Sequence, residues 1–260
     1  MPSLSFIASL FTFAALPGLS LSARLVRFSA QSTNPGLGVN PNAHGATASV
    51  TPNSGPNGAE DWLNSGLKGN GWSPPHLDWH SLVKIDIATF YSGAGANCRQ
   101  YDWAFQASGK NNGIEPVFLA MIAMQESSCN KDAGGGTPGL MQVACGNYPD
   151  GQCTKDVAKN VEAGAVYLRK QLQASGYNAI KALASYNGWF TAAESNGMNG
   201  GRGLTESYPC SPEGHHNGDP QNLDYLHQTL NGWFLGLDPQ GQDSWIGEYQ
   251  CRGCQNGKLC

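Results

Sequence analysis

The sequence predicts an all-α fold, with an α+β arrangement as the outer limit, and two features of its 260 residues support that prediction. Apolar side chains recur three or four positions apart in several segments, whereas alternating strand patterns are scarce. Stretches rich in the chain's 34 glycines separate these segments, which is typical of loops. We therefore expect a single helical domain over residues 71–237, with irregular extensions on both sides.

The first 22 residues have the composition of a secretory signal peptide. They contain no Asp, Glu, Lys or Arg, and an apolar stretch over residues 6–16 ends at Pro17-Gly18. Ser20 and Ser22 then supply the small side chains that a signal peptidase accepts. The alternative, an apolar helix of the mature fold, is disfavoured because a Gly/Pro/Asn/Ser-rich segment follows. We expect a secreted, extracellular protein.

The eight cysteines agree with export. All lie between Cys98 and Cys260, and an even number in an oxidising compartment predicts disulfide bonds. Their pairing stays open, although Cys145 and Cys153 are close enough in sequence to close a small loop. We expect bridges in the Cys-rich tail of residues 238–260, and a solvated loop at His215-His216, rather than metal sites. No metal or other cofactor is predicted.

The segment before the domain differs in composition. Residues 23–70 are rich in Gly, Ser, Asn, Pro and Ala, which is typical of a flexible linker. After Gly71, Val83, Ile85 and Ile87 alternate with polar residues, which indicates either a weak strand or a packing arm.

Helical periodicity begins with two segments. Residues 98–108 fit one helix that ends at Gly109. Pro116 fits the first turn of the next helix, and the apolar residues that follow it at helical spacing are Val117, Leu119, Ile122 and Ala123.

Three more helices follow. Asp156 is a candidate N-cap for a longer helix whose apolar residues recur until Gly176. Asn178 is placed to cap another. Asp219, followed by a proline, is expected to open the last helix, which ends at Gly236.

Glu126 is the main candidate for chemistry. The residues three, four and seven positions before it are apolar, so the carboxyl group extends the buried stripe of its helix. Partial desolvation raises a carboxyl pKa, and a carboxyl that is protonated near neutral pH suits a general acid. From position alone, a helix-end Glu that turns to solvent or bonds to Ser127 or Ser128 is equally consistent.

Two short segments supply candidate binding groups. Gln142 follows Gly139 closely, and its amide can donate to and accept from sugar hydroxyls or an acetamide. Met141 can fill an irregular apolar pocket. Tyr186 and Asn187 end a helix, where a tyrosine offers both a ring face and a hydroxyl. Taken singly, each residue also fits a packing or capping role.

Taken together and in order, these segments resemble the soluble lytic transglycosylase (SLT) domain of glycoside hydrolase family 23, which includes goose-type lysozymes. The resemblance covers residues from about 98 to 236. The segments that carry it are Glu126-Ser127-Ser128, Gly139-Leu140-Met141-Gln142, Asn160 to Leu168, and Ala184-Ser185-Tyr186-Asn187.

The resemblance implies a lysozyme-like helical fold with a groove for a β-1,4-linked polymer of N-acetylglucosamine and N-acetylmuramic acid. Peptidoglycan is therefore the expected substrate. The residue in the position of Glu126 is the family's catalytic acid/base. In lytic transglycosylases it protonates the glycosidic oxygen and then helps the muramic C6 hydroxyl attack C1. The expected substrate-binding residues are Met141, Gln142, Tyr186, Asn187 and Ser127.

The number of carboxylates separates the possible reactions. An inverting hydrolase needs a second carboxyl group about 6.5–9.5 Å from the acid. Residues 133–138 contain no acid, and Val143 and Ala144 follow the Gly-Leu-Met-Gln segment, so Asp132 is the only nearby candidate. This favours lytic transglycosylation. A hydrolytic lysozyme, an enzyme that cleaves chitin oligomers, and a catalytically weak glycan-binding module stay open, and a disulfide-stapled structural protein is the least favoured.

Charge and hydropathy limit the other partners. The net charge is −4 and no segment is strongly basic, so nucleic acid is not expected. After the N-terminus no apolar run reaches the roughly 18 residues of a membrane span. A negative chain is not steered to an acidic cell wall, which leaves an acidic working pH, a fragmented substrate or a chitin-like polymer open. We expect a monomer.

Overall fold

The computed structural model describes residues 31–32, 36–216, 222–241, 245–249, 254–255 and 258–259. Helices form the body of these ranges, and their strands are confined to three two-stranded antiparallel sheets. The all-α prediction is confirmed. The strand pairs are β1 (Gln31–Ser32) with β2 (Ser49–Val50), β3 (Ser54–Gly55) with β4 (Gly58–Ala59), and β5 (Cys254–Gln255) with β6 (Lys258–Leu259).

The α-helices of the described ranges are α1 (Glu60–Leu63), α2 (Ile87–Ser92), α3 (Asp102–Asn112), α4 (Pro116–Ser127), α5 (Val157–Ala174), α6 (Ala179–Tyr186), α7 (Pro212–His216) and α8 (Tyr225–His227). Helix α8 continues as a π-helical turn, Gln228–Gly232, and a 3-10 turn, Trp233–Leu235. Further 3-10 turns are Trp79–Ser81, Ala96–Tyr101, Cys145–Asn147, Ala192–Glu194, Met198–Gly201 and Tyr208–Cys210. In the described part of the chain, no helix has the length and apolar character needed to cross a membrane.

Helix α4 is the centre of the core. Residues 117–125 are all buried, because this helix is apolar on every side and α2, α3, α5 and the segment after α8 pack around it. Pro116 occupies its first turn, as predicted, and Ser128 ends it in the left-handed region with a φ of 53°. Glu126 therefore lies at the end of a buried helix, where the core meets the protein surface.

The predicted caps of the later helices are confirmed. The Asp156 side chain accepts a hydrogen bond from the Lys159 N–H at the start of α5. Asn178 accepts one from the Ile180 N–H at the start of α6. Gly236, with a φ of 75°, ends the turns that follow α8. The predicted start of the last helix at Asp219 lies outside the described residues.

Two local predictions differ from the structure. The first helix does not end at Gly109, because α3 passes through that glycine and ends at Gly113 in the left-handed region. A Cβ on Gly109 would lie 2.6 Å from the Ile114 carbonyl oxygen, so the glycine serves a close chain approach. The strand alternative around residue 85 is wrong, since Asp86 caps α2, whereas the buried Ile85 fits the packing-arm alternative.

The expectation of a flexible linker is wrong for residues 36–70. Leu63 and Leu67 are buried in the main core. The buried Asn57 side chain donates to the carbonyl oxygens of Val83 and Leu230, and its backbone N–H donates to Asn231. The polar side chain of Asn57 therefore bonds within the protein rather than to water. The predicted signal peptide and residues 23–30 and 33–35 lie outside the described residues.

The segment after the predicted domain also packs on it. Ile246 and Tyr249 are buried, and the Tyr249 N–H donates a 2.8 Å hydrogen bond to Asp224. The disulfides Cys98–Cys129 and Cys145–Cys153 are present, and Cys210 is also disulfide-bonded. The expected small loop between Cys145 and Cys153 is confirmed. His215 is exposed on α7.

Candidate active site

Glu126 combines burial with a defined hydrogen-bond partner. It lies half-buried at the end of α4, beside a cavity of about 370 Å³. The Tyr225 hydroxyl donates a 2.5 Å hydrogen bond to Oε1 of Glu126. Burial raises the pKa of Glu126 to about 7, while the bond from Tyr225 acts in the opposite direction. A large share of these carboxyl groups is therefore protonated near neutral pH, as a general acid requires.

The cavity brings together four of the six residues expected at the site. Glu126, Gln142, Tyr186 and Asn187 line it, although as many as 61 positions separate them in sequence. Their neighbours in the wall are Thr137, Val143, Ala144, Asn147, Tyr167 and Gly188. Among the described residues that form this wall, Glu126 is the only acid.

Met141 differs from the expectation that it contacts substrate. Its side chain is fully buried and does not line the cavity. It packs against α5 at Gly164, where an added Cβ would come within 2.8 Å of Met141 atoms. Met141 therefore packs between its own segment and α5 and is not part of the cavity surface.

Ser127 also differs from its expected role. Its hydroxyl oxygen lies 2.8 Å from the Leu140 carbonyl oxygen and 3.1 Å from that of Ala123, and the hydroxyl donates to both. Ser127 does not line the cavity. It joins the end of α4 to the Gly-Leu-Met-Gln segment.

Asn160 fixes that segment from α5. The fully buried amide accepts a 2.8 Å hydrogen bond from the Met141 N–H and donates to the Pro138 carbonyl, the Tyr148 hydroxyl and the Thr154 carbonyl. Gly139 allows this approach, because its φ is 95° and an added Cβ would lie 2.5 Å from the Asn160 nitrogen. The family resemblance included Asn160, but residue chemistry alone did not single it out.

Two side-chain amides in the cavity wall, those of Gln142 and Asn187, differ in the hydrogen bonds that they form within the protein. Gln142 has a φ of 46°; its Nε2 donates to the Gly139 carbonyl, and its Oε1 accepts from the Thr137 hydroxyl. Asn187 Oδ1 is buried and has no hydrogen-bond partner among the described residues. Asn187 therefore offers a free acceptor for a ligand hydroxyl or N–H.

Tyr186 and Tyr167 form an aromatic side of the cavity. Their ring centroids lie 5.3 Å apart. The Tyr186 hydroxyl donates a 2.9 Å hydrogen bond to the Met141 carbonyl oxygen, and burial raises the pKa of that hydroxyl well above its usual value. Tyr186 thus stays neutral and presents its ring.

Asp132 does not supply a second acid at the cavity. It is exposed and forms an ion pair with Lys131 at 2.8 Å. Hydrogen bonding to Lys131 lowers the pKa of Asp132, and the residue is absent from the cavity wall. The wall therefore fits a mechanism with a single carboxyl group.

Tyr225 is the residue that sequence reasoning missed. Its neighbour Asp224 accepts hydrogen bonds from the Tyr249 N–H and the Trp245 indole. Glu60 lies against Asp224, and burial together with Asp224 raises the pKa of Glu60 to about 10, so this carboxyl pair holds a proton. The segments outside the core motifs thus fix the start of α8. The only feature of the sequence that could have indicated Tyr225 is a tyrosine, with its polar hydroxyl, among the apolar residues of this helix.

A comparison with protein families agrees with this geometry. Residues 103–202 match the model of the Transglycosylase SLT domain. The matched range contains Glu126, Gln142, Tyr186 and Asn187, whereas Tyr225 lies beyond it. The resemblance noted in the sequence motifs is confirmed.

Proposed function

Taking the SLT domain at residues 103–202 as the premise, we propose that this protein cleaves peptidoglycan with Glu126 as its general acid/base. The bond would be the β-1,4 linkage between N-acetylmuramic acid and N-acetylglucosamine. The carrying observation is the half-buried carboxyl of Glu126, with a pKa of about 7 and a hydrogen bond from Tyr225, beside a cavity lined by amides and phenols.

In the first step, protonated Glu126 donates its proton to the glycosidic oxygen as the bond from that oxygen to C1 of the muramic sugar breaks. The N-acetylglucosamine end leaves as an alcohol, and positive charge develops on the muramic ring. Glu126 is now a carboxylate that still accepts the hydrogen bond from Tyr225, which stabilises the negative charge.

In the second step, the carboxylate accepts the proton of the muramic C6 hydroxyl as that oxygen forms a bond to C1. The product is a 1,6-anhydro sugar, and Glu126 returns to its protonated form without consuming water. A wall with one carboxyl group supports this reaction over inverting hydrolysis, which needs a second carboxyl to activate water.

The remaining wall groups suit an N-acetylated sugar. The free Asn187 acceptor fits a sugar hydroxyl or an acetamide N–H, and the Gln142 amide lies in the same wall. Tyr167 and Tyr186 offer ring surface to the apolar face of a sugar. The N-terminal 22 residues and the disulfides support secretion of the enzyme.

Digestion of purified peptidoglycan with mass spectrometry of the products tests this proposal. We expect 1,6-anhydro ends from the unaltered protein and a loss of at least about a hundredfold in rate for Glu126→Gln. Asp132→Asn is the matched control and is expected to keep its rate. Reducing ends would instead establish hydrolysis, and binding without products would establish a glycan-binding module. Chitin oligomers in parallel reactions test the alternative polymer that the net charge of −4 keeps open.

A further inference from the structure

A second groove lies outside the catalytic cavity, between α3, α5 and the loop of residues 147–154. Its volume is about 790 Å³, within the range of small-ligand sites. Asn147 lines both this groove and the catalytic cavity, so the two share a wall. The Cys145–Cys153 disulfide and a hydrogen bond from Asn160 to the Tyr148 hydroxyl fix the loop that forms this wall.

Trp103 provides the groove with an open aromatic surface. It is 58% exposed, although tryptophan is usually well buried. Within the described residues its indole N–H has no hydrogen-bond partner. An exposed ring with a free donor, placed in a groove, is suited to stacking on a ligand that also accepts hydrogen bonds.

The polar groups of the groove favour a neutral ligand. The side-chain amides of Asn111, Asn147 and Gln152 have no hydrogen-bond partners within the described residues. Asp150 and Glu162 contribute two negative charges against the single positive charge of Lys159. A polyanion would meet net repulsion here, whereas a ligand rich in hydroxyl and acetamide groups would find donors and acceptors.

We propose that this groove is a second glycan-binding site, which holds β-1,4-linked N-acetylglucosamine-containing stretches of the polymer while the cavity cuts another part. Trp103 stacks on the apolar face of one sugar, and the three amides bind its hydroxyl and acetamide groups. This inference deepens the proposed function and rests on it for the identity of the polymer. Asn147 lines both spaces, so the groove lies next to the cavity in which the polymer would be cut.

Binding to the Glu126→Gln protein tests the groove without turnover. The ligands are the neutral tetramer of N-acetylglucosamine and long, neutral strands of the same β-1,4-linked sugar. We expect the indole N–H signal of Trp103, assigned by its loss in Trp103→Ala, to shift in NMR spectra on titration with the tetramer. Trp103→Ala should weaken long-strand binding by about tenfold, and Trp103→Phe should retain most of it.

Tyr177→Ala is the matched control, because Tyr177 is another exposed aromatic, at 42%, and lies outside the groove. It should bind as the parent does, and thermal unfolding verifies the fold of every variant. Equal long-strand binding by Trp103→Ala would overturn the inference, as would an unchanged Trp103 signal on titration with the tetramer. If the unaltered protein binds glycan through Trp103 but never cleaves it, the proposed activity is wrong, whereas the proposed binding site in the groove is supported.

Discussion

The Tyr225 hydroxyl donates a 2.5 Å hydrogen bond to Oε1 of Glu126, and the two residues are 99 positions apart in the chain. The bond joins the end of α4 to the start of α8, across the core. It also opposes the effect of burial on the Glu126 carboxyl, so the pKa of about 7 is the balance of the two.

The cleavage rate should fall as the pH rises above about 7. In the proposed mechanism the reactive form of Glu126 is the protonated one, and each pH unit above its pKa of about 7 lowers that fraction about tenfold. Initial rates measured between about pH 4 and pH 9 give the profile. A basic limb near pH 4.5, the ordinary value for a glutamate, would show that the carboxyl is solvated in solution.

Tyr225→Phe should shift that basic limb to higher pH. The variant removes the hydrogen bond that lowers the pKa of Glu126 and keeps the buried ring. The rate near pH 6 should also drop about tenfold, because the carboxylate formed after proton donation loses a charge-assisted bond.

Tyr249→Phe is the matched control, since the Tyr249 hydroxyl also bonds to a carboxylate, Asp61, and neither residue lines the cavity. It should leave the pH profile in place. A Tyr225→Phe profile that superimposes on that of the unaltered protein would rule out a positioning role for Tyr225.

Asn160→Ala should destabilise the protein by about 2 to 4 kcal/mol, since the change leaves several buried polar partners without their hydrogen bonds. Urea unfolding measures the free energy. The carbonyl oxygens of Pro138 and Thr154 would need water as a new donor. Gln152→Ala, on an exposed residue of the neighbouring loop, is the control and should change the free energy of unfolding by less than about 0.5 kcal/mol.

Glu60→Gln should remove a dependence of stability on pH. Glu60 has a pKa of about 10 in the folded protein, against an ordinary value of 4.5. Between these values the folded state holds a proton that the unfolded state has released, so the stability of the unaltered protein falls as the pH rises. A glutamine amide keeps a donor for Asp224 and an acceptor for the Glu248 N–H, without the titration.

Unfolding by urea at about pH 5 and pH 9 measures this effect. The variant should gain roughly 1 to 3 kcal/mol relative to the unaltered protein at the higher pH. His227 titrates equally in both proteins, so its effect cancels in the comparison. If the free energies of unfolding of the two proteins change equally with pH, the ionisation of Glu60 does not destabilise the folded state.

Local rules were enough to predict the central helices and part of the site. The apolar spacing after Pro116, the Asp156 and Asn178 caps and the terminating Gly236 are interactions within one or two turns of a helix. The same spacing placed Glu126 on a buried stripe, because the position of a residue on a helix fixes the direction of its side chain. The sequence by itself therefore determined the helices and the partial desolvation of the candidate acid.

The tertiary structure alone decided which polar groups meet. Tyr225 bonds to Glu126, Asn57 to Leu230, and Glu60 lies against Asp224, each pair being far apart in the chain. In the folded protein Met141 and Ser127 do not line the cavity. Residues of the 36–70 segment, whose composition is typical of a linker, pack in the core. A polar residue has the same composition and periodicity whether it bonds to water or to the protein, so its partner exists only once the chain has folded.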